Sequence, residues 1–264
     1  MGLRPTEAAT FFAPTADAAE VLAERRQLLD VDPDRYTALT QAAEPAIDET
    51  AEWLLAVASC DVADVATAAD VRARLLALGR RLEADLVWMH PRGDDAHRLI
   101  AGVVCFPSSW DVHEKLERPM RMIHAPVPGL DEALGRQVDR FLAKLEPGAV
   151  WTRENWSVAA DPRLNHHPTL PKTPFPDDLR ADQVWIRLEH QLLVRMPRSG
   201  SVLFAIHVEP VPLPKIVAQP KIAARLARLL ETMSPAALDY KRLATARDAI
   251  VRLLAPSDDP SLPC

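Results

Sequence analysis

The chain has 264 residues, 48% of them hydrophobic and 26% charged, with a formal net charge of -6. That length and apolar content can bury a large core, while net negative charge with Lys and Arg spread through the chain argues against a nucleic-acid partner. No apolar run reaches the roughly 20 residues of a membrane helix and no apolar leader opens the chain, so the expectation is a cytoplasmic protein without a membrane partner.

From about Ala16 to Gly79 the apolar residues recur at helical spacing. Val21, Leu22, Leu28 and Leu29 form one stripe, Trp53, Leu54, Leu55 and Val57 begin another, and Val71, Leu75, Leu76 and Leu78 precede Gly79. Leu86–Met89 and Leu99–Phe106 then read as a β-hairpin around the polar stretch Pro91-Arg-Gly-Asp-Asp-Ala-His97. Leu130, Leu134, Val138, Phe141, Leu142 and Leu145 mark an amphipathic helix that Pro147-Gly148 stops.

Three further strands are predicted over Val150–Val158, Val184–Met196 and Ser201–Val208, the last two joined by the turn Pro197-Arg-Ser-Gly200. Two helices close the chain, Lys221–Leu230 and one with Ser234 as N-cap and Pro235 at its first position. The reading is one α+β domain over 1–264, helical over 1–80, a PAS-like antiparallel sheet with a helical crossover over 81–210, and helical again over 211–264.

Cys60, Cys105 and Cys264 lie far apart, without a C-x-x-C pair or a C-x-x-C-H motif. Any haem would therefore be the non-covalent b type. Three cysteines fall short of the four thiolates of a ferredoxin-type cluster, and no G-x-G-x-x-G follows a strand. Redox chemistry here would need a second protein to deliver reducing equivalents.

His124 stands out within Ile123-His-Ala-Pro-Val-Pro-Gly129, where prolines and a glycine fix the backbone around a lone imidazole. Such a histidine either ligates haem iron as the proximal donor or bonds a carbonyl in a core. Lys115, Arg118 and Arg153 are the cations available to haem propionates, and each could equally be a solvated charge. His190 alternates with Ile186, Leu188, Leu192, Val194 and Met196, so it is expected inside, as a rival ligand, a distal donor to bound oxygen or a core histidine.

His207 shares the opposite strand face with Leu203, Ala205 and Glu209, and His166-His167 sits in a proline-rich loop. Both pairs hint at metal sites without the further ligands that would make them specific. Trp110, Trp151, Trp156 and Trp185 could line a porphyrin or simply pack a core. Ser108 and Ser109 lack the G-x-S-x-G setting of a nucleophile.

Taken together, Phe106-Pro-Ser-Ser-Trp110, Lys115-Leu-Glu-Arg-Pro119, Ile123–Gly129, Arg153-Glu-Asn-Trp156, Met196-Pro-Arg-Ser-Gly200 and Leu203-Phe-Ala-Ile206 resemble the haem-dependent oxidative N-demethylase-like family. Gly2-Leu-Arg-Pro5, Leu22–Arg26 and Asp239–Leu243 extend the resemblance outward. It implies a PAS-like haem domain that removes a methyl group from a small secondary amine such as dimethylamine and releases formaldehyde. Electrons would come from NADPH through a separate flavin and iron–sulphur reductase, and tetrahydrofolate is open as the one-carbon acceptor.

The resemblance also places Asn155 and Trp156 at the cofactor pocket. The alternative is a non-catalytic PAS-like haem or small-ligand sensor. The chain departs from the family's pattern at Glu189-His190-Gln191, where Glu-Arg-Gln is typical, and at Phe204-Ala-Ile-His207, where Phe-Thr-Ile-Arg is typical. Glu83-Ala84-Asp85 likewise stands for Gln-Glu-Asp. A histidine replaces an always-charged arginine fork at two of these positions.

Overall fold

The computed structural model describes residues 2–57, 65, 68–93, 96–123 and 132–255. The chain divides into two compact units: Met1–Asn155 with Leu164–Leu170 and Glu189–Val208, and Trp156–Arg163 with Pro171–Leu188 and Glu209–Cys264. No helix among the described residues is long and apolar enough to cross a membrane.

The first unit opens with β1 (Arg4–Pro5), α1 (Ala8–Phe11), α2 (Ala18–Val31), α3 (Pro33–Tyr36), β2 (Thr37–Leu39), α4 (Glu44–Val57) and α5 (Val71–Arg81). The hairpin β3 (Asp85–Pro91) and β4 (His97–Val103) follows, then α6 (Val112–Lys115), α7 (Met120–Ile123) and the crossover helix α8 (Glu132–Lys144). Strands β5 (Val150–Ala159), β6 (Trp185–Arg195) and β7 (Val202–Pro212) complete an antiparallel sheet of order β1-β5-β6-β7-β3-β4-β2.

The hairpin, the crossover helix and the last three strands lie where the periodicity predicts them, and the fold is α+β. The helical reading of 1–80 needs a correction, because β1 and β2 lie inside it. β1 pairs with β5 and β2 with β4. Both are too short to show a period of two, so neighbouring strands rather than local pattern create them.

Strand alternation sorts the sheet into two faces. Leu86, Trp88, Leu192, Val194, Met196, Leu203 and Ala205 join Leu29, Ile47, Leu54, Leu75 and Leu78 of the N-terminal helices in one cluster. Trp88 is fully buried there and donates its Nε1–H to Thr50 Oγ1 at 2.9 Å, which satisfies the indole. Gly79 lets α5 approach β4 closely, since a Cβ at that position would lie 2.5 Å from Val103 Cγ2.

Val87, Met89, Leu193 and Val202 point the other way. They pack with Val112 of α6, Leu142 of α8 and Leu145, with Met120, Ile123 and Trp151 at the margin. The crossover thus covers this second face. At the end of the β6–β7 hairpin Gly200 has φ +67°, and Glu49 of α4 accepts the backbone N–H of Arg198 at 2.6 Å and of Ser199 at 2.7 Å.

The second unit has its own core. Val158, Val184 and Ile186 pack with helices α9 (Leu213–Val217), α10 (Pro220–Glu231), α11 (Pro235–Tyr240) and α12 (Arg247–Leu254) through Leu213, Leu226, Leu230, Leu238 and Ile250. Ser234 caps α11 as its sequence predicts, accepting the Ala237 N–H at 3.3 Å.

Candidate functional site

The crossover-covered face of the sheet carries a connected polar group whose Glu189 and Gln191 are buried and whose β5 members, Arg153 and Asn155, are exposed. Glu189 of β6 is 9% exposed. Its carboxylate accepts from Ser108 Oγ at 2.6 Å, Gln191 Nε2 at 2.8 Å and Asn155 Nδ2 at 3.2 Å. Arg153 of β5 closes the group by donating its Nε–H to Gln191 Oε1 at 2.7 Å.

The positions follow from alternation. Arg153 and Asn155 share the face of Trp151, while Glu189 and Gln191 share that of Leu193, so the two strands turn their polar residues toward the crossover side. Ser108 reaches Glu189 because its loop is tied down. Asp85 accepts the backbone N–H of Cys105 at 2.7 Å and of Phe106 at 3.0 Å, and Ser109 N donates to His166 O at 3.1 Å.

Arg153 is an exposed residue of β5, and the desolvation it does undergo beside the strand lowers its guanidinium pKa from the usual range against the pull of Glu189. Lys115 of α6 donates to Ile123 O at 3.3 Å, and burial, aided by Arg118 and opposed by Glu114, lowers its ammonium pKa too. Both stay within reach of solvent, and an anion beside either would raise its pKa again. Arg118 is exposed, with its backbone carbonyl held by Leu99 N.

His124 lies outside the described residues. The helices on either side of it, α7 and α8, pack on the crossover face through Met120, Ile123, Val138 and Leu142. Trp156, one residue beyond Asn155, belongs to the second unit, where Lys241 Nζ sits 5.3 Å from its ring centroid and donates to its carbonyl at 3.0 Å. It is not part of the Glu189 group.

His190 corrects the expectation of an interior histidine. Its side chain is 35% exposed, and alternation puts it on the helix-covered face, opposite Arg153 and Asn155. There it stacks on His207 with ring centroids 6.1 Å apart. The carboxylate near His207 is Glu83, at 3.7 Å from Nε2. His167 is buried in the loop, its Nδ1 against Thr169 Oγ1 at 2.9 Å and its Nε2 3.6 Å from Asp111. Among the described residues no group of three or more His, Cys, Asp or Glu could hold a metal ion.

Sequence reasoning missed Glu189, Gln191 and Ser108 as site residues. The signal was present in β6, where Arg187, Glu189 and Gln191 alternate with Ile186, Leu188, His190 and Leu192, and the structure buries all three. Reading only the apolar register hid the buried polar one.

An antiparallel sheet crossed by helices, with a buried acid on the crossed face held by Ser108, Asn155 and Gln191, makes this an α+β protein. Residues 59–251 match the family described as haem-dependent oxidative N-demethylase, alpha subunit-like, and the chain belongs to that family.

Proposed function

We propose that this chain binds haem b and oxidatively removes a methyl group from a small secondary amine of the dimethylamine type. The observation that carries the reading is the family match over 59–251, which spans the hairpin, the crossover and the last three strands. The order of those five strands, second-first-fifth-fourth-third, supports the PAS-like description.

Described residues on this face have the chemistry such a group needs. Half-buried Trp151 and Phe204 are the apolar side chains on this face that a porphyrin would meet, and Arg153 and Lys115 are the cations that would hold the propionates. His124 is the proposed proximal ligand, in the segment between two helices that pack on this face. Bound haem would supply dioxygen activation, one turnover using two electrons and two protons to give the demethylated amine, formaldehyde and water.

The chain's own residues do the rest. Ser108, Asn155 and Gln191 orient Glu189, whose carboxylate would accept the N–H of the amine and hold its proton at Oε1 or Oε2. The electrons are assigned to a separate flavin and iron–sulphur reductase drawing on NADPH, and tetrahydrofolate is the proposed acceptor of the one-carbon unit.

The test is reconstitution with haem, followed by spectra of the oxidised, reduced and carbon monoxide-treated protein. A Soret band that His124→Ala loses, with formaldehyde released in proportion to dimethylamine when NADPH and a surrogate reductase are supplied, is the expected result. No Soret band would overturn the reading. A Soret band without amine-dependent formaldehyde would make the chain a non-catalytic haem-binding protein.

A further inference from the structure

The helix-covered side of the first unit holds a pocket of about 140 Å³, away from the Glu189 group. Phe11 and Phe12 border it, their rings 5.0 Å apart at 79°, and Phe12 also meets Trp53 edge to face at 6.3 Å. Glu83 and His207 supply polar atoms, while Ala18, Leu22, Leu82 and Ala84 make the apolar wall.

Glu83 is 12% exposed in its side chain and is held in place from one side. Its Oε1 accepts the Thr15 N–H at 3.0 Å and its Oε2 accepts the Thr15 hydroxyl at 2.5 Å. Each carboxylate oxygen has a second lone pair, so this clamp orients the acid without exhausting it. A fixed carboxylate beside two perpendicular aromatic rings is a recognition pattern for an organic cation, whose charge meets the acid and whose alkyl groups meet the rings. Arg81 also borders the pocket, but Glu83 is the charge that Thr15 fixes in place, so an anion would face that carboxylate and gain nothing from the rings.

We propose that this pocket binds a small alkylammonium ion, its N–H donated to Glu83 and its alkyl groups laid against Phe11 and Phe12. Size sets the limit: a cavity of roughly 150 Å³ takes a benzene-sized guest, so about six heavy atoms fit. The site is distinct from the one in which demethylation is proposed and does not require haem.

His207 regulates access. As a neutral ring it leaves Glu83 to the guest, whereas protonated it lies 3.7 Å from Glu83 and competes for the same charge. Arg81 borders the pocket, and His190 stacks on His207 with Glu154 and then Arg4 behind it. Affinity is therefore expected to fall on acidification.

Calorimetric titration of the full-length, haem-free protein with dimethylammonium chloride tests the proposal, with propan-2-ol as a neutral probe and acetate as an anionic one. Saturable binding of the cation alone is expected. Glu83→Gln should weaken it about tenfold or more, and Ala18→Leu, which fills the pocket on an accessible helix position, should abolish it. Circular dichroism confirms that both variants fold. Absence of saturable binding, equal binding by propan-2-ol, or wild-type affinity in both variants would overturn the proposal. So would loss of binding in Glu189→Gln with none in Glu83→Gln, which would move the guest to the other sheet face.

Discussion

His190 and His207 stack across the neighbouring strands β6 and β7, 6.1 Å apart and 23° from parallel, and each has a carboxylate at its outer edge. Glu154 lies 4.0 Å from His190 Nδ1 and Glu83 3.7 Å from His207 Nε2. Neither distance is a hydrogen bond, so the pairs hold weakly. His207→Arg would carry a permanent charge and a longer reach to Glu83. We expect a gain of about 0.5–1 kcal/mol, read as a Tm higher by about 2 °C, together with loss of alkylammonium binding as the arginine fills the pocket. A lower Tm would show that the stack outweighs the ion pair.

Arg25 and Asp85 form an ion pair with side chains 0% and 1% exposed, at 2.6 Å. Arg25 also donates to Gly79 O and lies over the Phe106 ring, while Asp85 holds the N–H groups of Cys105 and Phe106. Asp85→Ala strands a buried guanidinium and two backbone donors at once. The expected cost is about 3–5 kcal/mol in denaturant unfolding. A cost below about 1 kcal/mol would mean that water replaces the carboxylate.

Stability should decline on acidification, in two windows. His97 is buried, and burial holds its pKa below the usual histidine value despite the pull of Asp139; burial lowers His90 and His167 in the same direction. The unfolded chain then takes protons below about pH 6.5 that the folded chain refuses, so stability is full above that value and falls as the pH drops, by at most ~1.4 kcal/mol per unit for each histidine. Thermal melts at pH 7.5 and 5.5 should show a smaller drop in His97→Gln than in the wild type.

Glu49 sets the lower window. Burial alone would raise its pKa, but the N–H groups of Arg198 and Ser199 outweigh burial and hold it below the usual value. Its contribution persists above the ordinary glutamate range and is lost as the pH falls through its depressed value.

Cys105 is buried, and burial pushes its thiol up to about 12 against the charge of Arg25. The thiolate is the reactive form. With Cys60 and Cys264 replaced by Ser, the remaining thiol should be silent to a disulfide reagent at pH 8 until denaturant is added. Rapid labelling of the native protein would show that the loop after β4 opens.

Much of the fold was legible because its signals are local. The period of α8, the turn before Gly200 and the Ser234-Pro235 start of α11 each lie within a few residues of one another. The strands Arg4–Pro5 and Thr37–Leu39 were not, since their only support is a partner far along the chain. At the site, Arg153 was legible as a cation and Asn155 only through the resemblance, and nothing near them in sequence points to Ser108 or Gln191.

By itself the sequence determined the α+β class, the crossover, the lack of any cysteine motif for covalent haem and the family. Tertiary structure decided which face each polar residue occupies. Alternation says only that Glu189 and His190 point opposite ways. Which of them meets the crossover depends on α6 to α8 covering one side and the N-terminal helices the other, and those contacts join segments far apart in the chain. The same packing puts Glu83, His207 and the two phenylalanines around one pocket, although they span most of the first unit.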